Sequence, residues 1–137
     1  MGTGPSGWPY PYGEYIEQTL HGLVPGATYT VQFEYANAGW YEGTSGYPSE
    51  VARGYFAVSV GSGVQASIVR TFDGFYYQTW YDETMYFTAD AETELLHFEV
   101  RDFGQKTRMA LDGVSVVEGG PTAAQATAWG ALKNLFR

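Results

Sequence analysis

A strict alternation of apolar and polar residues over 28–36 most constrains how this chain folds. Every second side chain in that segment is aromatic or β-branched: Tyr29, Val31, Phe33, Tyr35. Because successive side chains of a strand point to opposite faces, the pattern predicts a half-buried β-strand. Shorter patterns of the same kind predict further strands at 15–20, 55–60, 65–72, 84–88, 94–102 and 109–117.

The segments between these strands are short and rich in Gly and Pro, which is typical of tight turns. We expect the first two strands to form a hairpin-like unit across Pro25-Gly26 and the next two to form a second hairpin across 61–63. In the last strand Leu111 and Val114 are both apolar, but a regular strand would point them to opposite faces. One extra residue absorbed in a β-bulge near Asp112-Gly113 would let both point inward. With no helical period before residue 119, the sequence predicts an all-β fold, an antiparallel β-sandwich.

Composition excludes several classes of function. The chain has 137 residues, the size of one domain, and its net charge of −8 disfavours nucleic acid as a partner. It has no Cys, so disulfides, thiolate metal sites and cysteine nucleophiles are excluded. We also expect no membrane span and no signal peptide, because no long apolar run occurs and residues 1–13 lack a basic and apolar start.

The composition changes after Glu118, which predicts three parts: an N-terminal arm at 1–13, the sandwich at 14–118, and a linker with a docking tail at 119–137. The tail from Thr122 is Ala-rich and has the pattern of a short amphipathic helix with a net charge of +2, against −10 for residues 1–118. A lone helix of this length needs a surface to pack on. The predicted assembly residues of the tail are Trp129, Leu132, Lys133, Leu135, Phe136 and Arg137.

Two long segments rich in aromatic residues, 37–53 and 73–83, interrupt the strands and are the candidate working surfaces. Sugar rings pack on aromatic faces while carboxylates bond their hydroxyls, and Tyr and Trp also anchor protein interfaces. The candidate carbohydrate- or partner-binding residues are Trp40, Tyr41, Glu42, Tyr47, Asp73, Tyr76 and Tyr77. Alternatively, aromatic side chains of these segments are buried and close the ends of the sandwich. We expect the side chain of Trp80 to be buried in this way.

Catalysis is not expected. The two histidines, His21 and His97, are predicted to lie on the surface, and no nucleophile motif surrounds either. Carboxylates close in sequence, such as Asp82 and Glu83, are explained more simply as solvated loop residues than as a glycosidase pair. The prediction is therefore a protein that is not an enzyme.

The order of several motifs resembles the galactose-binding-like jelly-roll family over about residues 14–117. The resemblance rests on Gln18-Thr19-Leu20, the segment from Gly22 to Tyr29, Phe33, Trp80 ahead of Phe87-Thr88-Ala89, and the closing Ala110 to Val116. It implies a jelly-roll sandwich of the kind found in carbohydrate-binding modules and in accessory proteins of phage capsids and tails. None of these motifs is specific for a ligand.

Two features of that family bear on this chain. Its members begin with an extra strand that 1–13 does not match, so the resemblance implies that one edge of the sandwich is missing. Related modules often hold a structural calcium ion against the Asp of the closing strand, which here is Asp112; no other cofactor is expected.

The sequence thus leads to two hypotheses. The first is an adhesion or assembly module, a structural accessory protein of a virus particle in capsid decoration or a tail, docking through its C-terminal tail and aromatic loops. The alternative is a carbohydrate-binding module of a secreted multidomain protein. Expected partners are other protein subunits, in a homo-oligomer or larger assembly, and glycans, and the expected location is the virion or the extracellular space.

Overall fold

The structure is a computed structural model that describes residues 14–39, 53–72, 79–103 and 107–120. These residues form eight strands. In chain order they are β1 (Tyr15–His21), β2 (Thr28–Asn37), β3 (Arg53–Val60), β4 (Gly63–Ala66), β5 (Arg70–Thr71), β6 (Tyr81–Thr88), β7 (Thr93–Asp102) and β8 (Met109–Glu118).

The strands are divided between two antiparallel sheets. A five-stranded sheet has the order β1-β7-β3-β4, with β5 also paired to β3, and a three-stranded sheet has the order β6-β2-β8. The described strands thus confirm the all-β antiparallel sandwich that the alternating pattern and the family resemblance implied. The arm at 1–13 and the helical tail at 122–137 lie outside the described residues, and the domain boundaries stay predictions.

The core lies between the sheets and is built from the apolar parity of each strand. Phe33 of β2 packs edge-on against Phe98 of β7, with ring centroids 5.1 Å apart, and Phe56 of β3 lies 5.9 Å from Phe98 in the same geometry. Edge-to-face pairs contribute beyond the area that they bury. This three-ring cluster therefore joins the two sheets at their centres.

The predicted hairpin of β1 and β2 is wrong, because the two strands belong to different sheets. Both edges of β2 are occupied by β6 and β8, while β1 pairs with β7. The segment between β1 and β2 crosses from one sheet to the other and bonds to the turn after β6. The Leu23 amide donates to the Glu92 carbonyl at 3.0 Å, and the Gly26 amide donates to the Ala89 carbonyl at 2.8 Å.

The second predicted hairpin is confirmed, but its return strand is broken into β4 and β5. Ser67 lies at the break, where its hydroxyl accepts a 2.9 Å hydrogen bond from the Phe56 amide. The side chain thereby takes the place of a backbone acceptor and interrupts the regular ladder.

The predicted bulge in β8 is confirmed. The register between β2 and β8 shifts between Gln32 and Glu34, opposite Gly113, whose φ is +59°. A glycine adopts this left-handed conformation without steric cost. Because the bulge absorbs one extra residue, the side chains of Leu111 and Val114 both point to the inner face of β8.

Replacing Phe98 with Ala tests the role of the three-ring cluster. Removing a fully buried ring loses its burial and leaves a cavity, so we expect the free energy of unfolding to fall by about 3–5 kcal/mol. Urea denaturation of the variant measures this change. Leu95→Ala on the exposed face of the same strand is the matched control, expected to cost less than about 1 kcal/mol. Equal losses in the two variants would contradict the assignment.

Candidate functional site

The outer face of the three-stranded sheet carries a cleft of about 360 Å³. The alternation of β2 that buries Phe33 places Gln32 and Glu34 on this outer face. Because β2 is the middle strand, each of these residues has a neighbour on both sides. The cleft is lined by Gln32, Phe33, Glu34, Asp82, Glu83, Thr84, Gly113 and Ser115.

Cross-strand pairing sorts the polar groups of the cleft into two rows. Gln32 lies between Thr84 of β6 and Ser115 of β8, which forms a row of one amide and two hydroxyl groups. Glu34 lies between Asp82 and Asp112, which forms a row of three carboxylates. The face thus offers hydrogen-bond donors and acceptors beside a strongly acidic strip.

The carboxylate row opposes folding rather than supporting it. Like charges placed directly opposite each other on neighbouring strands are destabilising. Glu34 and Asp82 share the outer face, whereas Glu83 points inward, where its carboxylate accepts a hydrogen bond from the Ile68 amide at 3.1 Å. An arrangement that lowers stability in this way is typical of a surface used for recognition.

Two exposed aromatic residues, Trp80 and Tyr86, flank the segment of β6 that lines the cleft. Trp80 directly precedes β6 and is 45% exposed, so the prediction that it is buried is wrong. Tyr86, two residues beyond Thr84 on the outer face, is 39% exposed. At roughly 3.3 Å per residue, these two aromatic positions are about 20 Å apart along the strand.

The two aromatic loops leave the sandwich at one end, which is organised by the buried amide of Asn37. Its Nδ2 donates to the Arg70 carbonyl at 2.8 Å, and its Oδ1 accepts bonds from the Gly39 amide at 2.8 Å and the Thr107 hydroxyl at 3.1 Å. Asn37 lies three residues beyond Glu34 on β2. The loops therefore start from the end of β2 that carries the acidic row.

The loop residues predicted to bind a glycan or partner lie outside the described residues. These are Trp40, Tyr41, Glu42 and Tyr47, which follow Gly39, and Asp73, Tyr76 and Tyr77, which follow Phe72. The predicted assembly residues Trp129, Leu132, Lys133, Leu135, Phe136 and Arg137 also lie outside them. All of these assignments stay predictions.

Asp112 lies in the described part of the chain, at the rim of the acidic row. It is exposed, and its Oδ1 accepts a 2.7 Å hydrogen bond from the Gly113 amide. No group of three metal-ligating side chains converges within 14–39, 53–72, 79–103 and 107–120. The calcium site that the family resemblance implied at Asp112 stays a prediction, because residues 1–13 lie outside the described residues.

The residues considered for catalysis lie apart from one another or on different faces. His21 and His97 are both on the five-stranded sheet, where His97 Nδ1 lies 2.8 Å from the Glu17 carboxylate and the His21 ring is exposed. Asp82 and Glu83 point to opposite faces of β6 by strand parity, so they do not form a facing pair.

A polar network beneath the cleft fixes the start of β6. The Tyr35 hydroxyl donates to the Ile68 carbonyl at 2.9 Å and lies 3.3 Å from the Glu83 carboxylate. The same hydroxyl accepts a hydrogen bond from Arg70 Nε at 3.1 Å. The Arg70 guanidinium also lies 3.6 Å from the centre of the Tyr81 ring. Burial raises the pKa of the Tyr35 hydroxyl above 10.0, although Arg70 acts in the opposite direction.

Sequence reasoning missed Gln32, Thr84 and Ser115 as site residues. The outward parity of Gln32 in the strongest alternating segment was the available signal. Nothing local in the sequence indicated that β6 and β8 would bring Thr84 and Ser115 to either side of it, because that pairing is non-local.

No family model and no curated protein matches the chain. Among solved structures, the chain is similar to one described as "CBM4 structure and function", with 19% sequence identity and a TM-score of 0.44. The match covers 77% of this chain and 61% of that chain. The described residues contain no helix long and apolar enough to cross a membrane.

Replacing Glu34 with Gln tests the cost of the carboxylate row. The amide keeps the size of the side chain and removes its charge, so we expect the free energy of unfolding at neutral pH to rise by roughly 0.2–1 kcal/mol. Chemical denaturation measures the change. Glu92→Gln in the exposed turn before β7 is the control and should change stability by less than about 0.5 kcal/mol. A loss of stability in Glu34→Gln would contradict the repulsion.

The raised pKa of Tyr35 predicts a loss of stability in alkali. Above pH 10.0 the unfolded chain ionises this hydroxyl while the folded chain keeps it neutral, so the free energy of unfolding falls as pH rises further. Denaturation at a series of pH values from about 8 to 11 measures the slope. Tyr35→Phe should be less stable at neutral pH but show a shallower alkaline slope. Parallel slopes would contradict the assignment.

Proposed function

We propose that the protein is a non-enzymatic carbohydrate-binding domain that holds a neutral glycan in the cleft of the three-stranded sheet. The observation that carries the proposal is the pairing of a polar cleft with the exposed aromatic residues Trp80 and Tyr86. Binding sites for small ligands combine a concave surface with a few polar groups that fix orientation.

The polar rows of the cleft suit the hydroxyl groups of a sugar. A hydroxyl both donates and accepts, and the row of Gln32, Thr84 and Ser115 offers both functions across the three strands. The carboxylates of the second row accept only, and bonds to charged acceptors are the stronger kind. A chain of sugar rings lying across the strands meets both rows.

The aromatic residues supply the apolar part of recognition. The flat C–H faces of a sugar ring pack on aromatic faces, and burial of such surface is favourable. Trp80 lies two residues before Asp82 and Tyr86 two residues after Thr84, so the two rings lie beyond the cleft lining at either end of it. We include in the platform the loop residues Trp40, Tyr41, Glu42, Tyr47, Asp73, Tyr76 and Tyr77, because their loops leave the sandwich beside the acidic row.

The charge of the cleft selects against anionic glycans. Glu34, Asp82 and Asp112 would repel a uronate or sulfate group placed between the strands. Neutral polysaccharides therefore suit the cleft better than anionic ones. The virus-particle role predicted from the sequence stays a prediction, since no contact of the described residues tests it.

Alanine variants of the cleft test this function. We expect Tyr86→Ala and Gln32→Ala each to weaken binding to a neutral polysaccharide about tenfold or more, because each removes stacking area or an orienting hydrogen bond. A glycan array identifies a ligand, and titration calorimetry measures the affinity. The control is Tyr15→Ala, which removes a 58% exposed ring from the other sheet and should leave the affinity unchanged.

Two results would contradict the proposal. The first is unchanged affinity in both cleft variants when Trp40→Ala or Tyr76→Ala abolishes binding, which would place the ligand on the loops alone. The second is tighter binding to a uronic-acid polymer than to its neutral counterpart, which would exclude the acidic cleft as the site.

A further inference from the structure

Among the residues that the structure describes, the sandwich is closed along one side and open along the other. On the closed side the Gln65 side chain of β4 donates to the Tyr86 carbonyl of β6, and Gly63 packs against the Phe87 ring. Since β4 and β6 are edges that meet there, the opposite edges, β1 and β8, face each other on the other side. Leu20 of β1 and Val116 of β8 pack against the same core clusters.

Several side chains with inward parity on this side are only partly covered. Ile16 of β1 is 48% exposed and Val114 of β8 is 43% exposed, although both point between the sheets by their strand pairing. Leu20, Leu111 and Val116 are partly buried and pack against the core, while Gln18, which lies between Ile16 and Leu20 with the same parity, is exposed. We call the five apolar residues the open seam.

The charge around the open seam is negative. Glu17 of β1 and Asp112 of β8 point to the outer faces of these edge strands, where Glu17 lies 2.8 Å from His97 Nδ1, and Glu118 ends β8; neither strand contains Lys or Arg. An apolar groove with an acidic border suits an apolar segment flanked by basic residues.

We propose that residues 122–137 of the same chain dock as an amphipathic helix into the open seam. Trp129, Leu132 and Phe136 form an apolar stripe at helical spacing, and Lys133 and Arg137 are the only charged residues of the segment. The stripe covers Ile16 and Val114, and the two basic groups meet the acidic border. The seam lies between the sheets and the cleft lies outside them; Asp112, at the edge of β8, is the one residue named for both, and none of the variants below changes it.

The dimensions of the segment and the seam agree. The segment 122–137, if wholly helical, extends about 24 Å, and the ten residues of β8 extend roughly 33 Å. A helix of this length can therefore lie along the outside of the seam, against the edges of β1 and β8.

Chain connectivity favours docking within one molecule. The Gly119 amide donates to the Thr28 carbonyl at 2.8 Å, which fixes the end of β8 beside the sandwich. Only Gly120 and Pro121 separate this anchor from Thr122. A short link gives the tail a high effective concentration at its own seam, so a second copy competes poorly.

Hydrogen exchange on the full chain tests the proposal. We expect slow exchange of the tail amides at 129–136 and about tenfold or more faster exchange after Val114→Lys, which removes apolar contact and repels Lys133. The matched control is Val64→Lys on the exposed edge strand β4, which should leave the tail amides protected. Amides of Phe56 and Val58 in the core report whether the fold itself is intact.

A variant of the tail provides the reciprocal measurement. Trp129→Asp should speed exchange of the amides of Ile16 and Val114 about tenfold or more while those of Phe56 and Val58 are unchanged. Light scattering should give the mass of a monomer for the parent chain and this variant.

Three outcomes would overturn the proposal. Tail amides that are unprotected in the parent chain would show that the segment does not dock. Equal protection in Val114→Lys and Val64→Lys would place it elsewhere. A dimer mass that Trp129→Asp abolishes would show that the tail packs on a second copy. Loss of glycan binding in the cleft variants bears on none of these.

Discussion

The edge-to-face contact between Phe33 and Phe98 is the interaction on which the other features of the molecule depend. It joins the middle strand of the three-stranded sheet to a central strand of the five-stranded sheet, and Phe56 extends the contact within the larger sheet. With Phe33 held inward, the period of the strand places Gln32 and Glu34 on the outer face. The core contact and the cleft are therefore two consequences of one alternating segment.

The two faces of β2 are subject to opposite demands. Its inner face is apolar and gains stability from burial, whereas its outer face opposes Glu34 to two further carboxylates, Asp82 and Asp112. Such a row lowers the stability of the fold, and the burial of aromatic side chains in the core offsets this cost. The same sheet has only three described strands against five in its partner, so β8 and β1 leave a partly covered seam whose chemistry matches the basic, apolar C-terminal segment.

Local pattern predicted most strands but not their partners. The bulge at Gly113 was predictable because two apolar residues of opposite parity, Leu111 and Val114, must both reach the inward face. The hairpin of β1 and β2 was predicted wrongly, since proximity in sequence says nothing about which edges of β2 are already occupied. Trp80 was expected among the buried rings, yet it directly precedes β6 with much of its surface exposed. The loop and tail residues predicted for binding stay predictions.

The sequence by itself determined the all-β class, the inward face of each long strand, the bulge and the acidic, cysteine-free character of the chain. These follow from the period of two and from composition, which are local properties. Only the tertiary structure decided that β6 and β8 flank β2, which assembles the amide, hydroxyl and carboxylate rows of the cleft, and that β1 and β8 leave a seam between the sheets. Strand partners are chosen by contacts between residues far apart in sequence, whose joint burial no local pattern encodes.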